Sequence, residues 1–385
     1  MNELKDKLAR YLGFLAADPS NMSLLRDSAD LALQINEVDQ ALGLITRGLD
    51  LDPTHPGINY LLATANIQNQ KFEEAYTILH KLLGTGIDNP GIRYNLGLSA
   101  LYIGRFAEVD ATLTTLINET PDAVPHAKVL LARAKHHLGE LDEAADLLHE
   151  FLTNVDDEHV EANGLLALLY QDRGDNERAL AYAKKTLLKN ANNHEALITL
   201  ATVTLDNLDL ESALQQFENI LHMNDNSGRS WLGKGLVELY KNNSIGAEGS
   251  LKRCVELMPS HLGSWNALAW AQVVQNKLAE AEQTLLTALE TDRNFGDTHG
   301  GLACVQLMLG RIEEAAMSQR RAERLDATSF AAQFAKALLL QHADKPDLSQ
   351  QEMQELFNRP IVAGCSNLLE NLQKLANGRS HRNFH

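Results

Sequence analysis

One short pattern of apolar, charged and small residues returns along the whole chain. It reads FEEA at Phe72–Ala75, LDEA at Leu141–Ala144 and IEEA at Ile312–Ala315, each time ending in alanine. Recurrence at one fixed spacing indicates a repeat array, in which each unit buries its apolar face against its neighbours. Nine positions at intervals of 34 or 35 residues mark the pattern's end: Ala41, Ala75, Val109, Ala144, Ala179, Ala213, Ala247, Ala281 and Ala315.

A second series of small residues lies twelve positions before the first. Two antiparallel helices joined by a tight turn approach closely only where a side chain at their crossing is small. The two series therefore predict nine helix pairs, with a slightly wider crossing in the third pair, where Val109 replaces alanine. The second series is Ala29, Ala63, Gly97, Ala132, Ala167, Ala201, Gly235, Ala269 and Ala303.

Glycine or asparagine stands five positions before most of the marks, at the turn inside each pair. Both residues tolerate the left-handed backbone conformation that ends a helix. Gln70 and Leu208 break this pattern, and we expect the preceding Asn69 and Asn207 to take that role. Prolines lie where second helices must stop. The regular turn residues are Asn36, Gly104, Gly139, Gly174, Asn242, Asn276 and Gly310, and the prolines are Pro19, Pro53, Pro121 and Pro259.

A unit of two short helices, small at both crossings and closed by proline, resembles the tetratricopeptide repeat. Trp231 and Trp265 stand where that family often places an aromatic residue, and leucine precedes the small residue in most units. The resemblance covers residues 22 to 326. It implies an all-α fold, an α-solenoid of antiparallel helix pairs forming a right-handed superhelix, whose first helices line a concave groove.

The period also predicts how the chain is divided. We expect an N-terminal capping helix in 1–21, nine repeats in 22–327, the first helix of a partial tenth repeat in 328–343 and C-terminal capping helices in 344–378. Pro346 is expected to break the chain, and a capping box from Ser349 to Glu352 predicts a helix that reaches Asn358. A last helix is expected after Ser366, followed by a short, frayed basic tail in 379–385.

Composition and charge exclude several classes of function. The chain has 385 residues, with 51 acidic and 34 basic side chains and a net charge of −17. Such a charge repels polyanions, so we do not expect a nucleic-acid partner. Apolar runs are too short for membrane insertion, and three scattered cysteines (Cys254, Cys304 and Cys365) fit reduced thiols, so we place the protein in the cytoplasm.

No catalytic signature occurs in the sequence, so we expect a non-enzyme that needs no cofactor. Histidines cluster in one region, and His126 and His137 are expected near one helical face. Because Arg133 lies between them, a metal site is disfavoured and surface or groove histidines are expected. The cluster consists of His126, His136, His137, His149 and His159.

The inner wall implied by the resemblance is acidic in its middle, with Glu161 and Glu195, and apolar towards its C-terminal end, with Val273 and Val274. We expect Trp270 to anchor a partner, because tryptophan is enriched at binding hot spots. In the alternative, Trp270, Met308 and Phe334 pack between neighbouring repeats. The predicted partner-binding residues are Tyr94, Tyr102, Arg133, His137, Asp172, Asp206, Arg229, Tyr240, Asn266, Trp270, Met308 and Phe334.

Three functions fit these features. The leading hypothesis is a non-catalytic protein-binding module, a scaffold or a client-specific chaperone, whose partner presents a segment with basic and apolar side chains. The second is an accessory, substrate-docking subunit of an enzyme complex. The third is a structural protein that associates with itself into homo-oligomers through the ends of the array.

Overall fold

The structure is a computed structural model that describes residues 2–358, and within this range all regular secondary structure is helical. The helices alternate in role: each even-numbered helix is the first of a pair, and the odd-numbered helix after it is the second. They are α1 (Asn2–Ala17), α2 (Met22–Gln34), α3 (Val38–Leu51), α4 (Pro56–Gln68), α5 (Phe72–Gly84), α6 (Pro90–Tyr102), α7 (Phe106–Glu119), α8 (Ala127–His137), α9 (Leu141–Asn154), α10 (Val160–Asp172), α11 (Asn176–Lys189), α12 (His194–Asp206), α13 (Leu210–Met223), α14 (Gly228–Tyr240), α15 (Ser244–Leu257), α16 (Leu262–Val274), α17 (Leu278–Thr291), α18 (Gly296–Met308), α19 (Ile312–Leu325), α20 (Phe330–His342) and α21 (Pro346–Phe357).

This succession confirms the all-α solenoid predicted from the period. The chain divides into two compact units, an N-terminal unit of residues 1–169 and a C-terminal unit of residues 170–385. The boundary falls inside α10, between Leu169 and Tyr170.

Both series of small residues are buried, as predicted. Their alanines are at most 2% exposed, and Val109 is fully buried. A methyl group built on Gly97 would lie 2.7 Å from Leu113 Cδ2, and one built on Gly235 would lie 2.6 Å from Leu251 Cγ. The two glycines therefore stand where a larger residue would push the helices of a pair apart.

Nine turns inside helix pairs share one conformation. The residue five positions before each mark has a positive φ, including Gln70 (60°) and Leu208 (60°). Asn69 and Asn207 instead have φ values of −86° and −79° as the last residues capping α4 and α12. The expectation that these asparagines replace the irregular residues was wrong, because the position in the turn, and not the residue type, fixes the left-handed conformation.

The four prolines follow the second helices as predicted. The α1, α3, α7 and α15 helices each end two residues before proline, which has no N–H to continue the helical hydrogen bonds. One first helix differs from its siblings: α8 begins at Ala127, two residues after Pro125, where the period places the start of the fourth repeat.

The structure corrects the expected C-terminal boundary. Helix α21 begins at Pro346 as its first residue, so this proline starts a helix where a break was expected. Ser349 does not cap the helix; its buried hydroxyl donates to the Ala337 carbonyl of α20. Asp344 has the φ (58°) of the other turns, so α20 and α21 form a tenth helix pair.

The remaining C-terminal expectations concern a helix after Ser366 and the basic tail in 379–385, and both lie outside the described residues. The division into caps, repeats and tail therefore stays a proposal, now with the second helix of the tenth repeat added.

The core of each unit lies between the first and second helices. In the N-terminal unit Leu25, Ile45 and Ile58 are fully buried, and in the C-terminal unit Phe217 and Leu251 are as well. Burying each such side chain stabilises the fold by roughly 1.5–3 kcal/mol. The buried apolar residues of each pair thus stabilise the pair itself. The outward side chains of the first helices take no part in this packing and are available for other contacts.

Candidate functional site

The first helices of the C-terminal unit form a face that curves inwards. The Arg229 guanidinium at the start of α14 donates to both carboxylate oxygens of Asp172 at the end of α10, at 2.7 and 2.8 Å. These helices belong to repeats that are two apart, with α12 between them. On a convex face, side chains of successive helices diverge. A bidentate ion pair between helices that are two repeats apart therefore requires a concave face.

Asp206 and Tyr240 lie further along the same face. Asn176 Nδ2 donates to Asp206 Oδ2 at 3.2 Å. Surrounding protein displaces water from both groups and raises the pKa values of the Asp206 carboxyl and of the Tyr240 phenol, which the Asp206 charge raises further. Yet the Tyr240 side chain is still 40% exposed. Tyr240 is therefore accessible to a partner although neighbouring protein excludes part of the water around it. This combination is typical of a recessed surface.

The helix caps add two histidines near this face. His261 accepts from the Ser264 backbone at the start of α16, and His194 Nε2 lies 2.9 Å from the Ser227 hydroxyl. Burial lowers the pKa values of both imidazoles, and the Arg229 charge lowers that of His261 further while Asp172 raises it. His261 caps α16, whereas His194 is the first residue of α12 and contacts Ser227, which caps α14. Both imidazoles are neutral at neutral pH, and they add no positive charge to the face.

Three neighbouring first helices end in a large, exposed apolar side chain. Tyr240, Val274 and Met308 are the last residues of α14, α16 and α18, and they are 40%, 58% and 45% exposed. Their spacing of 34 residues puts one on each successive repeat. We call these three residues the apolar row. Exposed apolar side chains scattered singly are ordinary, but a contiguous set marks an interaction surface.

Trp270 lies beside the apolar row but is partly used in packing. Its indole meets the Phe334 ring of α20 edge on, with centroids 6.5 Å apart. The two rings pack on buried Ala303, Cys304 and Ala335. This is the packing that the alternative expected for Trp270 and Phe334, whereas the anchor role stays a prediction. Met308 is exposed.

Asn266, one turn before Trp270 on α16, keeps an unusual environment. Its Oδ1 atom is buried and has no hydrogen-bond partner among the described residues. An unpaired buried carbonyl oxygen costs free energy unless a donor reaches it. The atom therefore marks a point where a donor from water or from a partner would be stabilising.

In the N-terminal unit the predicted residues have different surroundings. Tyr102 stacks on the Phe72 ring at 4.1 Å, and His137 stacks on the Phe106 ring at 4.2 Å. Tyr94 is half-buried, and burial raises the pKa of its phenol, with the Glu161 charge adding to the effect. Arg133 is half-buried on α8. The structure brings Tyr102 and His137 against rings of the same unit.

The histidine cluster divides into two groups. His126 lies before the start of α8, and its ring packs near His159 (5.4 Å) and Phe151 (5.4 Å). His137 stacks on Phe106 at the other end of the helix. The two imidazoles therefore lie at opposite ends of α8 and pack on different rings. Within residues 2–358, no group of three or more histidine, cysteine or acidic side chains is arranged to hold a metal ion.

Sequence reasoning missed two pairings. It listed Asp172 and Asp206 as partner-binding residues, but Arg229 pairs with the first and Asn176 binds the second. The repeat pattern does carry a signal for the contact between Asn176 and Asp206. The first residue of a second helix contacts the last residue of the following first helix, and this holds for Asn176, Phe72 and Phe106. The Arg229 pairing spans two repeats, and the repeat pattern carries no signal for it.

Two further findings bear on chemistry. None of the helices between Asn2 and Phe357 combines the length and hydropathy needed to cross a lipid bilayer. Cys254 and Cys304 are buried free thiols, and burial raises the pKa of Cys304 to about 12. A thiol with so high a pKa is not a nucleophile at neutral pH.

Comparison with known proteins agrees with this architecture. The sequence profile of the tetratricopeptide repeat family matches residues 32–90. A search of curated protein sequences finds no significant match. Among solved structures, the APC/C hetero-tetramer Cut9-Hcn1 is 14% identical with a TM-score of 0.59, over 92% of this chain and 76% of that one. The human IFIT1 dimer with m7Gppp-AAAA is 14% identical with a TM-score of 0.55, over 87% of this chain and 89% of that one.

Identities this low show a shared fold and nothing about function. The matched segment includes the α4–α5 pair, and the period of that pair, with its buried small residues and left-handed turns, continues through the described helices to α21. The chain is similar to tetratricopeptide repeat proteins, in sequence over residues 32–90 and in fold over the described helices.

Proposed function

We propose that the protein binds a segment of another protein on the first-helix face of its C-terminal unit. It acts there as a non-catalytic scaffold or as a chaperone for one client. Tetratricopeptide repeat proteins are in general interaction modules that bind proteins or peptides, which supports the coarse part of this proposal. The binding surface consists of the apolar row with Asp206 and Trp270 beside it.

The apolar row is the observation that carries the proposal. Tyr240, Val274 and Met308 repeat once per helix pair, while the residues that stabilise each pair face the other way. An extended peptide advances about 3.3 Å per residue, so one segment can place an apolar side chain against each row member in turn. Neither the turns nor the cores of the pairs require apolar residues at these positions.

The charges on this face indicate which polar side chains the partner segment should carry. Arg229 neutralises Asp172, which leaves Asp206 as the carboxylate next to Tyr240. Surrounding protein excludes water from Asp206 and so raises the pKa of its carboxyl. A lysine or arginine of the partner that pairs with Asp206 replaces the stabilisation that the carboxylate lost with this water. A segment with one basic and several apolar side chains therefore fits this face best, with Asn266 Oδ1 accepting a donor.

Other functions are supported less well. The net charge of −17 disfavours the RNA ligand named for the IFIT1 structure. An accessory, substrate-docking subunit would use the same face, with catalysis on another chain. Self-association would use the ends of the array instead. A cytoplasmic location fits the two buried reduced thiols.

Selection from a displayed library of random dodecapeptides tests the proposal. The full chain is the bait, and Val274→Glu is screened in parallel. We expect peptides that combine a basic residue with apolar ones to be enriched on the wild-type chain and lost on the variant. Leu286→Glu, at a side chain 41% exposed on α17, is the control and retains them. Enrichment that is equal on all three proteins, or enrichment of acidic peptides on this face, contradicts the proposal.

A further inference from the structure

A basic stripe runs along the outer side of α19. Met317, Arg320, Arg321 and Arg324 follow each other at helix positions i, i+3, i+4 and i+7, so they share one face, and all four are exposed. Arg293, in the loop before α18, joins them because Arg321 Nη2 donates to its carbonyl at 3.2 Å. We call these five residues the basic stripe.

The arginines of the basic stripe stand apart from others in the chain. Arg311 lies 2.5 Å from Glu282, and Arg229 holds Asp172 with two hydrogen bonds. Within residues 2–358, by contrast, none of the four stripe arginines forms an ion pair with a carboxylate. A chain with 51 acidic side chains has carboxylates in excess, so four clustered arginines without one are unexpected.

Folding explains only part of the stripe. The bond from Arg321 to the Arg293 carbonyl is structural, since Arg47 makes the same bond to the Pro19 carbonyl in the first repeat. Arg320 and Arg324 have no such bond to another helix or loop among the described residues: Arg324 donates to the Arg320 carbonyl of its own helix, and its place in the last turn gives only the modest benefit of a cation there. Like charges four positions apart destabilise a helix, so folding alone does not favour this pair.

We propose that the basic stripe is a second docking surface, which binds an acidic segment of a partner protein. Guanidinium groups pair with carboxylates through two parallel hydrogen bonds, and three arginines on one helix face suit aspartate or glutamate residues spaced along a helix or strand. Met317 is 58% exposed within the stripe and provides an apolar contact for the same segment.

A protein segment fits better than a nucleic acid. Exposed carboxylates flank the stripe, with Glu313 on one side and Glu323 and Asp326 on the other. A short acidic segment meets fewer of these carboxylates than a long polyphosphate does, and screening at physiological salt over about 8 Å weakens the repulsion from the rest of the chain. Because the stripe lies on a second helix, this partner binds without displacing a peptide from the first-helix face.

Fluorescence anisotropy with labelled model peptides tests this surface on the full chain. The probe is a peptide of repeated Glu-Glu-Leu units, and its neutral analogue contains Gln-Gln-Leu. We expect the acidic probe alone to bind, and to bind roughly tenfold more weakly to Arg320→Glu/Arg324→Glu. Arg321 is left in place because of its structural bond.

The control is Lys81→Glu/Lys184→Glu, which makes the same change in net charge on the exposed surface of α5 and α11. We expect it to change affinity less than about twofold, since neither lysine belongs to the stripe. Equal weakening by both pairs reduces the effect to net charge and overturns the proposal. So does the absence of probe binding up to about 1 mM, or tighter binding of an oligothymidine than of the peptide.

Discussion

The two compact units use the last residue of a first helix in different ways. In the N-terminal unit Tyr102 and His137 stack on Phe72 and Phe106, which begin the preceding second helices. In the C-terminal unit the corresponding residues include Val274 and Met308, whose side chains are 58% and 45% exposed. The position is exposed in both units, since Tyr102 is 64% exposed, and the difference is that Tyr102 and His137 also stack on a neighbouring ring while Val274 and Met308 carry aliphatic side chains.

This difference shows how a repeat array separates stability from recognition. The small residues, the turns and the buried leucines recur in both units, and the fold depends on them. The residue that ends each first helix varies more, because it lies outside the core of the pair and outside the left-handed turn residue, and its contacts differ from repeat to repeat. We therefore expect substitutions there to change stability in the N-terminal unit and binding in the C-terminal unit.

Buried charge gives the largest expected effect. Glu248 on α15 is almost fully buried between Lys252 (2.8 Å), Lys277 (2.7 Å) and Gln275 (2.9 Å), and although burial opposes ionisation, these partners lower its pKa to about 2. This shift corresponds to about 3 kcal/mol of stability. Glu248→Gln should lose it at neutral pH, measured by urea unfolding, while the exposed Glu290→Gln should lose less than about 0.5 kcal/mol.

The pH dependence of Glu248 follows from the direction of its shift. A lowered pKa stabilises the folded chain fully above the unfolded value of 4.5, and the contribution disappears as the pH falls towards 2. The difference between wild type and Glu248→Gln should therefore shrink from pH 5 towards pH 2. A constant difference over this window contradicts the role of the buried charge.

Close packing of α18 on α20 supports the end of the apolar row. A methyl group on Gly300 would lie 2.4 Å from the Ala332 backbone nitrogen, so Gly300→Ala must separate the two helices. We expect a loss of about 2 kcal/mol in unfolding free energy. Gly249→Ala, in a helix with nothing within 4 Å of the new methyl group, should stabilise by about 0.5 kcal/mol. Equal effects would mean that the helices are not in tight contact.

Backbone strain at one turn is a smaller effect. Leu208 has a φ of 60°, which costs a leucine about 1–2 kcal/mol, whereas Asn242 and Asn276 hold the same conformation with a residue that tolerates it. Leu208→Asn should raise the unfolding free energy by about 1 kcal/mol. The reverse exchange, Asn242→Leu, should lower it by a similar amount; a gain in both variants would contradict the strain.

Stacking at the end of the first helix tests the comparison itself. Tyr102→Ala should lower the unfolding free energy by about 1 kcal/mol, because the ring loses its contact with Phe72. Val274→Ala should change it by less than about 0.5 kcal/mol, because Val274 is 58% exposed and, unlike Tyr102 (64% exposed), has no ring that stacks on a neighbour. Equal losses in the two variants would remove the distinction between the units.

The sequence predicts the fold well because the same pattern of small residues, turns and helix ends recurs in every repeat. The buried small residues and the helix ends at proline follow from the period alone. Prediction from the period has physical limits. Gln70 and Leu208 show that a turn imposes its left-handed conformation on a residue that does not favour it. The start of α21 was missed because Pro346 both ends and begins helices, and Ser349 is small enough to replace the alanine of the series.

The candidate site is less predictable than the fold. Position in the repeat identifies Tyr240 and Met308 as surface residues of the first helices, and the structure exposes both. It gives no information on contacts between repeats, such as the ion pair of Arg229 with Asp172 or the packing of Trp270 on Phe334. These contacts depend on how far each repeat turns relative to the next, and small differences in side-chain volume set that angle.

The most direct test of the account is the affinity of one selected peptide for three proteins, measured by calorimetry. They are the wild-type chain, Val274→Glu in the apolar row and Leu286→Glu on α17. The account predicts roughly tenfold or greater weakening for Val274→Glu, because a charge replaces a central apolar contact, and a change below about twofold for Leu286→Glu. Unchanged affinity in Val274→Glu, with the helical fold intact by circular dichroism, would contradict binding at the first-helix face.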